Sequence, residues 1–160
     1  IITPAMGRMI VGTGALFVIL LFGLLQYFKH TDITAISQID ITRLFSYYFN
    51  FDAGNGLSPY ELSVFFTIFV LIQFWNMFNA KAFATGKSAF ASLLKSPGFI
   101  GVGLLIVIGQ FIIVTFGGEL FSVTPLSITD WWQIILATSV ILWVGEILRG
   151  ISRLFNKCKG

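Results

Sequence analysis

Apolar residues dominate the chain in four long runs, and polar residues gather between the runs. The runs cover about residues 9–28, 62–80, 98–118 and 131–148. Each is close to the roughly 20 residues that a helix needs to cross about 30 Å of hydrocarbon. Strands of a membrane barrel would alternate apolar and polar positions, whereas residues 104–108 are apolar without a break. The pattern predicts an all-α fold, an integral membrane four-helix bundle in a single transmembrane domain that spans residues 1–160.

Composition supports lipid as the surroundings of this bundle. Apolar residues make up 56% of the chain and charged residues only 11%, whereas a soluble domain uses roughly a quarter charged residues. The few basic residues are thinly spread, which argues against a nucleic-acid partner. Lipid is therefore an expected partner, and nucleic acid is not.

Lysine and arginine are unevenly divided between the two sets of helix ends. Only Lys29 and Arg43 lie in the stretches 29–61 and 119–130, which also hold six of the seven carboxylates. The other basic residues fall at the opposite ends: Arg8, Lys81, Lys87, Lys95, Arg149, Arg153, Lys157 and Lys159. Short cytoplasmic loops retain basic residues. Both termini are therefore predicted to be cytoplasmic, in a plasma membrane or bacterial inner membrane, with those two stretches outside.

The outer stretch 29–61 is long enough to hold structure of its own. Its first part is rich in isoleucine and aromatic residues and leads into the turn at 52–56. Such a segment is typical of a short helix on the membrane surface. We expect an interfacial helix here rather than a ligand-binding loop.

Residues that could carry chemistry are scarce. His30 is the only histidine and Cys158 the only cysteine, so the sequence offers neither a histidine and cysteine metal site nor an internal disulfide. No glycine-rich phosphate loop precedes a lysine and a hydroxyl residue. The sequence therefore predicts no catalytic, cofactor-binding or metal site, and no ATP hydrolysis by this chain alone.

A few polar residues lie within the apolar runs, where they are costly and usually face other helices. Gln73 and Asn76 share one helix face, with Asn79 slightly further round, and hydrogen bonds to one neighbouring helix are the favoured interpretation. The alternative makes Gln73 and Asn76 weak candidates for an ion path. Asn79, Gln110 and Glu146 are predicted to be structural polar residues. Glu146 is expected to pair with Arg149, three positions further on.

Three segments resemble plasma-membrane-type calcium ATPases. Residues 65–81, with the pattern Gln-x-x-Asn-x-x-Asn-Ala-Lys that begins at Gln73, resemble the eighth membrane helix of that family. Residues 116–126, followed by Trp131, resemble the outer turn between the ninth and tenth helices. Residues 95–97 resemble the inner loop before the ninth helix, with serine where the family commonly has asparagine. The resemblance covers about residues 1–155.

The resemblance implies the C-terminal membrane region, helices seven to ten, of a type IIB calcium-transporting P-type ATPase. Such a region would anchor the ion transport unit and shape it. The parent pump would use ATP and Mg²⁺ and transport Ca²⁺, while the family's aspartyl-phosphate motif and main calcium ligands lie outside this chain. Its partners would be the remaining membrane helices and the cytoplasmic domains, and the isolated chain is expected to self-associate.

Two further expectations follow from the resemblance and from the chain ends. In the related sarcoplasmic-reticulum-type pumps the position of Gln73 holds a carboxylate calcium ligand, so an amide here implies one calcium ion per cycle. A chain that starts at Ile1 without methionine and stops at Gly160, soon after a few lysines, fits a fragment of a bacterial pump. The alternative is a free-standing four-helix membrane scaffold or small transporter subunit.

Overall fold

Four long helices and two short ones make up the chain in the computed structural model, which describes residues 4–85, 88–90 and 96–157. In chain order they are α1 Pro4–His30, α2 Ile41–Tyr47, α3 Pro59–Thr85, α4 Pro97–Phe116, α5 Gly118–Phe121 and α6 Ile128–Lys157, with a single 3₁₀ turn at Ile36–Gln38 before α2. These ranges contain no strand. The predicted all-α fold is confirmed, and α1, α3, α4 and α6 are long and apolar enough to cross a membrane.

The starts of α3 and α6 are encoded by the same local motif, a serine followed three residues later by a carboxylate. Ser58 donates its N–H to Glu61 Oε2 at 2.8 Å, and the Glu61 N–H donates to Ser58 Oγ at 3.2 Å. Ser127 and Asp130 form the same reciprocal pair, with both hydrogen bonds at 3.1 Å. Each pair satisfies N–H groups that a helix start would leave without partners. The starts of α3 and α6 are therefore fixed by contacts between residues three positions apart, and each lies three residues before the start of the apolar run.

The third long helix, α4, ends before position 118, where the third apolar run ends in the sequence. Gly117 closes α4 with an N–H donated to the Ile113 carbonyl at 2.8 Å. Gly118 follows with φ +40, in the left-handed region that favours glycine. The helix therefore ends at Phe116, because the backbone turns at this glycine pair.

α3 is the central helix, since it packs against α6, α4 and α1, while α1 also carries α2. The main core joins buried residues of α1, α3, α4 and α6 near the end of the bundle at which α2 lies: Leu24, Tyr27, Phe28, Ile33, Val64, Leu71, Val114, Leu126 and Ile134. We call this end the α2 end, and the opposite end, which holds residues 79–85, 88–90 and 145–149, the terminal end. Much of α4 is exposed, including Leu104 and Leu105. Apolar exposure of this kind suits a helix surrounded by lipid.

The segment between α1 and α3 is held to the bundle by two backbone anchors. Tyr27 Oη donates to the Gln38 carbonyl at 3.2 Å and accepts from the Asp40 N–H at 3.1 Å. Further along, the Asn55 N–H donates to the Lys29 carbonyl at 2.9 Å. Gly54 permits this approach with φ +62, and a Cβ there would lie 2.6 Å from the Lys29 carbonyl oxygen. The short helix α2 lies between these anchors, within the stretch for which the sequence predicts an interfacial helix.

Asp40 starts α2 as its N-cap. Its carboxylate accepts from the Thr42 hydroxyl at 2.6 Å and from the Thr42 N–H at 2.9 Å. These two hydrogen bonds, with a smaller contribution from Arg43, hold the pKa of Asp40 below its usual value. The first turn of α2 is thus fixed by a side chain that precedes it.

Candidate functional site

Polar side chains of α3 face different neighbouring helices. Asn79 lies on the side that faces α6. Its Nδ2 donates to the Ile141 carbonyl at 3.0 Å, and its Oδ1 accepts from Arg149 Nη2 at 3.0 Å. Gly145 of α6 leaves the space for this amide, since a Cβ there would collide with it. Asn79 therefore fixes the terminal end of α3 against α6.

Glu146 extends this contact to the segment after α3. The Glu146 carboxylate pairs with Arg149 at 3.1 Å, and the two side chains are only 19% and 20% exposed. Oε1 of Glu146 also accepts from the Ser88 hydroxyl at 3.1 Å and from the Ala89 N–H. The ion pair predicted from the i,i+3 spacing is present in the structure. The further hydrogen bonds to Glu146, and the one from Arg149 to Asn79, support this half-buried pair in its low-dielectric surroundings. Arg149 Nε is buried without a hydrogen-bond partner among the described residues.

A second tie between α3 and α6 lies one turn away from Asn79. Trp75 Nε1 donates to Thr138 Oγ1 at 3.0 Å, and this hydroxyl donates onward to the Ile134 carbonyl at 2.7 Å. Sequence reasoning did not single out this pair. The available signal was the spacing of four residues between Trp75 and Asn79, which places both on one face of α3.

Gln110 ties α4 to α3. It is buried, and its Nε2 donates to Thr67 Oγ1 at 3.2 Å. The Thr67 hydroxyl in turn donates to the Ser63 carbonyl at 2.8 Å. The Thr67 hydroxyl thus donates within α3 and accepts from Gln110 of α4, which joins the two helices.

Gln73 and Asn76 lie on the other side of α3, toward α1. They line a cavity of about 370 Å³ together with Thr13 and Gly14 of α1. Gln73 is exposed and Asn76 partly so, and neither makes a hydrogen bond within the part of the chain that the structure describes. The structure thus separates these two amides from Asn79, which bonds to α6.

Glu61 is a buried carboxylate that the sequence pattern did not single out. It is 1% exposed, and besides the Ser58 N–H it accepts the Ile33 N–H at 3.1 Å. The serine and glutamate three residues apart were the signal for the capping part of this role. Glu61 therefore holds the segment after α1 against the start of α3.

The polar groups described above are hydrogen-bond donors and acceptors that hold helices together. Across residues 4–85, 88–90 and 96–157, no three histidine, cysteine, aspartate or glutamate side chains come together in a way that could hold a metal ion. Cys158, the single cysteine, and Lys87, one of the basic residues used to predict the orientation, lie outside the described residues. The polar side chains of this region thus join the helices, except that the amides of Gln73 and Asn76 line a cavity.

Comparison with protein families gives one match that covers nearly the whole chain. The family model described as "Cation transporting ATPase, C-terminus" matches residues 1–151. No solved structure matches the chain at a significant level.

Curated relatives agree with this match. The chain is 31% identical to calcium-transporting ATPase PAT1 of Dictyostelium discoideum over 155 residues, which cover 94% of this chain and 13% of the relative. It is 33% identical to plasma membrane calcium-transporting ATPase 1 of Mus musculus over 110 residues, 65% of this chain and 9% of the relative. A similar match, at 31% identity over 110 residues, is to plasma membrane calcium-transporting ATPase 4 of Bos taurus. The chain therefore spans only a small part of the length of these proteins.

Proposed function

Since the chain belongs to the family of cation-transporting ATPase C-termini, we propose that it is the C-terminal membrane region of an ATP-driven calcium pump. The family match over residues 1–151 carries this proposal, and the named relatives are calcium-transporting ATPases. The four long helices α1, α3, α4 and α6 then correspond to helices seven to ten of the pump. The chain is a multi-pass membrane protein, and calcium is the ion that we assign to its parent.

The role of this region is to support and anchor the transport unit. α3 is tied to α6 through Asn79 and Trp75, and to α4 through Gln110. Interhelical hydrogen bonds of this kind act with close packing to hold membrane helices together. The parent's ATP, Mg²⁺ and aspartyl-phosphate chemistry belongs to other parts of the pump, and this chain contributes a rigid frame.

The cavity lined by Gln73 and Asn76 is the face at which the remaining membrane helices of the pump pack. An amide without a hydrogen-bond partner is costly in lipid, so this face calls for a protein partner. A Cβ built on Gly12 or Gly14 meets no atom within 4 Å, so α1 leaves room beside the cavity for another helix. The exposed side of α4, by contrast, is apolar and suits lipid.

At this face Gln73 contributes to the wall of the ion path without acting as a strong ligand. Calcium takes six to eight oxygen ligands, and its affinity grows with the number of carboxylates. An amide supplies an oxygen but no charge. The parent pump therefore moves one calcium ion per cycle, with Gln73 and Asn76 serving mainly in helix contacts.

The orientation that we assign places both termini and the terminal end of the bundle in the cytoplasm of a cell with this pump in its plasma membrane. The positive-inside distribution of lysine and arginine supports this orientation. The α2 end then faces outward, and α2 lies at the outer membrane surface, where its exposed side chains Ile41 and Phe45 meet lipid.

Transport by the full-length protein that carries this chain tests the proposal. Inside-out membrane vesicles should take up radioactive calcium when ATP is added, and a control without the parent's phosphorylated aspartate should not. Absence of uptake by a well-expressed protein, or uptake of a different cation only, would refute the assignment. A reading frame that starts with methionine directly before Ile1 would instead support the free-standing scaffold or small subunit.

A further inference from the structure

A second groove lies between α1 and α6, with α3 as its floor. It has a volume of about 630 Å³. Leu16, Leu20 and Leu24 of α1 form one wall, and Ala137 and Ile141 of α6 form the other. The lining is mostly apolar, and its residues with polar groups are Tyr48, Gln133 and Thr138. This groove is distinct from the cavity that Gln73 and Asn76 line.

α2 and its flanking residues close the groove at the α2 end, and this roof is held in place by packing on α1. A Cβ built on Gly23 would lie 3.0 Å from Tyr48 Cδ2 and 3.1 Å from Leu44 Cδ2. Glycine at position 23 therefore lets the roof sit directly on the α1 backbone. The ring of Tyr48 also packs edge-on against Phe22, with centroids 5.4 Å apart.

The length of the groove matches one leaflet of a bilayer. Leu16 and Leu24 are eight residues apart on α1, and at 1.5 Å per residue this corresponds to about 12 Å. One leaflet contributes about 15 Å of the roughly 30 Å hydrocarbon core. A helix that crosses the whole membrane could not follow the groove, because the roof blocks one end. An acyl chain, which occupies a single leaflet, fits between the roof and the middle of the bundle.

The polar groups of the groove fit an acyl chain with its headgroup at the roof. Thr138 is already satisfied, because it accepts from Trp75 and donates to the Ile134 carbonyl. Gln133 is exposed and lies near the start of α6, on the side of the roof. Thr138 therefore needs no further hydrogen-bond partner from a bound ligand. The Gln133 amide lies at the level where the ester groups of a lipid would be.

Charge on the roof complements a phosphate. Arg43 belongs to α2, whose Ile41 and Leu44 line the groove, and its side chain is 68% exposed. Its contact with Asp40, at 3.5 Å, is a solvent-exposed ion pair of little energetic weight. Arg43 is thus available to a phosphodiester at the membrane surface.

From these features we propose that the groove binds one acyl chain of a phospholipid in the leaflet on the α2 side. Gln133 lies at the level of the ester groups, and Arg43 lies beside the phosphate. This site depends only on the chain being a membrane protein, and it would remain if the transported cation were not calcium.

Native mass spectrometry of the full-length protein, released from detergent after incubation with phosphatidylglycerol, tests the site. Two variants fill the groove from opposite walls, Ala137→Trp and Leu20→Trp. Leu105→Trp is the control, because Leu105 is 72% exposed on α4 and does not line the groove. We expect the wild type and the control to retain one more bound lipid than either groove variant.

A further variant tests the headgroup contact. Arg43→Gln should reduce retention of phosphatidylglycerol relative to a diacylglycerol of the same chain length by several-fold, while Arg8→Gln, at the terminal end, should not. Equal lipid retention by all variants that keep the thermal stability of the wild type would overturn the proposal. So would a cross-link from Ala137→Cys to another helix of the parent, because a protein segment would then fill the groove.

Discussion

Asn79 of α3 fills the space that a side chain at position 145 of α6 would require. Gly145 has no Cβ, so the Asn79 amide lies against the backbone of α6 and reaches both the Ile141 carbonyl and the Arg149 guanidinium. A close approach of the two helices at Gly145 thus coincides with their shared hydrogen bonds. Small residues at such crossings are typical of membrane helix packing.

Gly145→Ala should therefore destabilise the bundle, because the new methyl group cannot fit beside Asn79. Overpacking of this kind costs about 1–3 kcal/mol, and thermal stability of the full-length protein in detergent measures it. Gly150→Ala is the matched control on the same helix, since a Cβ there meets no atom within 4 Å. It should leave stability unchanged or slightly raised. Equal effects of the two substitutions would contradict the packing argument.

Glu146 and Arg149 should show energetic coupling in a double-mutant cycle. Glu146→Gln leaves the Arg149 guanidinium without its counter-charge, and Arg149→Gln leaves the Glu146 carboxylate with neutral partners only. The double variant should be more stable than the sum of the single losses predicts, with an interaction energy of about 0.5–3 kcal/mol. Denaturation of the full-length protein in mixed micelles gives the four stabilities. Strict additivity would show that the pair contributes nothing beyond its separate contacts.

Glu61→Ala should loosen the segment between α1 and α3. It removes the acceptor of the Ile33 and Ser58 N–H groups, at 3.1 Å and 2.8 Å. Hydrogen bonds to charged groups contribute about 1.5–3 kcal/mol each, so the loss of two should cost about 3–6 kcal/mol. Amide hydrogen exchange at Ile33 should speed up as well. The control Glu119→Ala removes an exposed carboxylate at the same end of the bundle, and a comparable loss there would count against the assigned role.

Gln73→Ala should leave the apparent calcium affinity of the parent pump within a few-fold of the wild type. Gln73 is exposed beside a cavity, and an amide adds no charge to a calcium site. A lost helix contact should lower stability by about 1 kcal/mol. Calcium-dependent phosphorylation of the full-length protein reports the affinity. If phosphorylation disappeared in a normally expressed, well-folded variant, Gln73 would be a ligand.

Accessibility of single cysteines tests the orientation. In a chain with Cys158 replaced by serine, an impermeant thiol reagent added to intact cells should label Ser46→Cys and Leu120→Cys. Both positions are exposed at the α2 end. Phe90→Cys, at an exposed position of the terminal end, should react only after the membrane is permeabilised. Labelling of Phe90→Cys in intact cells would show that the assigned orientation is wrong.

Contacts between residues that are close in sequence could be predicted from the sequence. The capping pairs of Ser58 with Glu61 and Ser127 with Asp130 join residues three positions apart, as does the ion pair of Glu146 with Arg149. Helical geometry alone brings such residues together. By contrast, the hydrogen bond from Arg149 to Asn79 joins residues 70 positions apart, and no local pattern indicates it.

The sequence by itself determined the number of long helices and their class, because a chain in lipid must satisfy its backbone within each apolar run. It did not determine which neighbour each helix face meets. Gln73, Asn76 and Asn79 are spaced three apart, and at 3.6 residues per turn the polar side chains rotate around α3 as the helix proceeds. Tertiary packing placed the first two beside α1 and the third against α6. Apolar side chains do not discriminate between helix and lipid, so shape and a few long-range hydrogen bonds decide the arrangement.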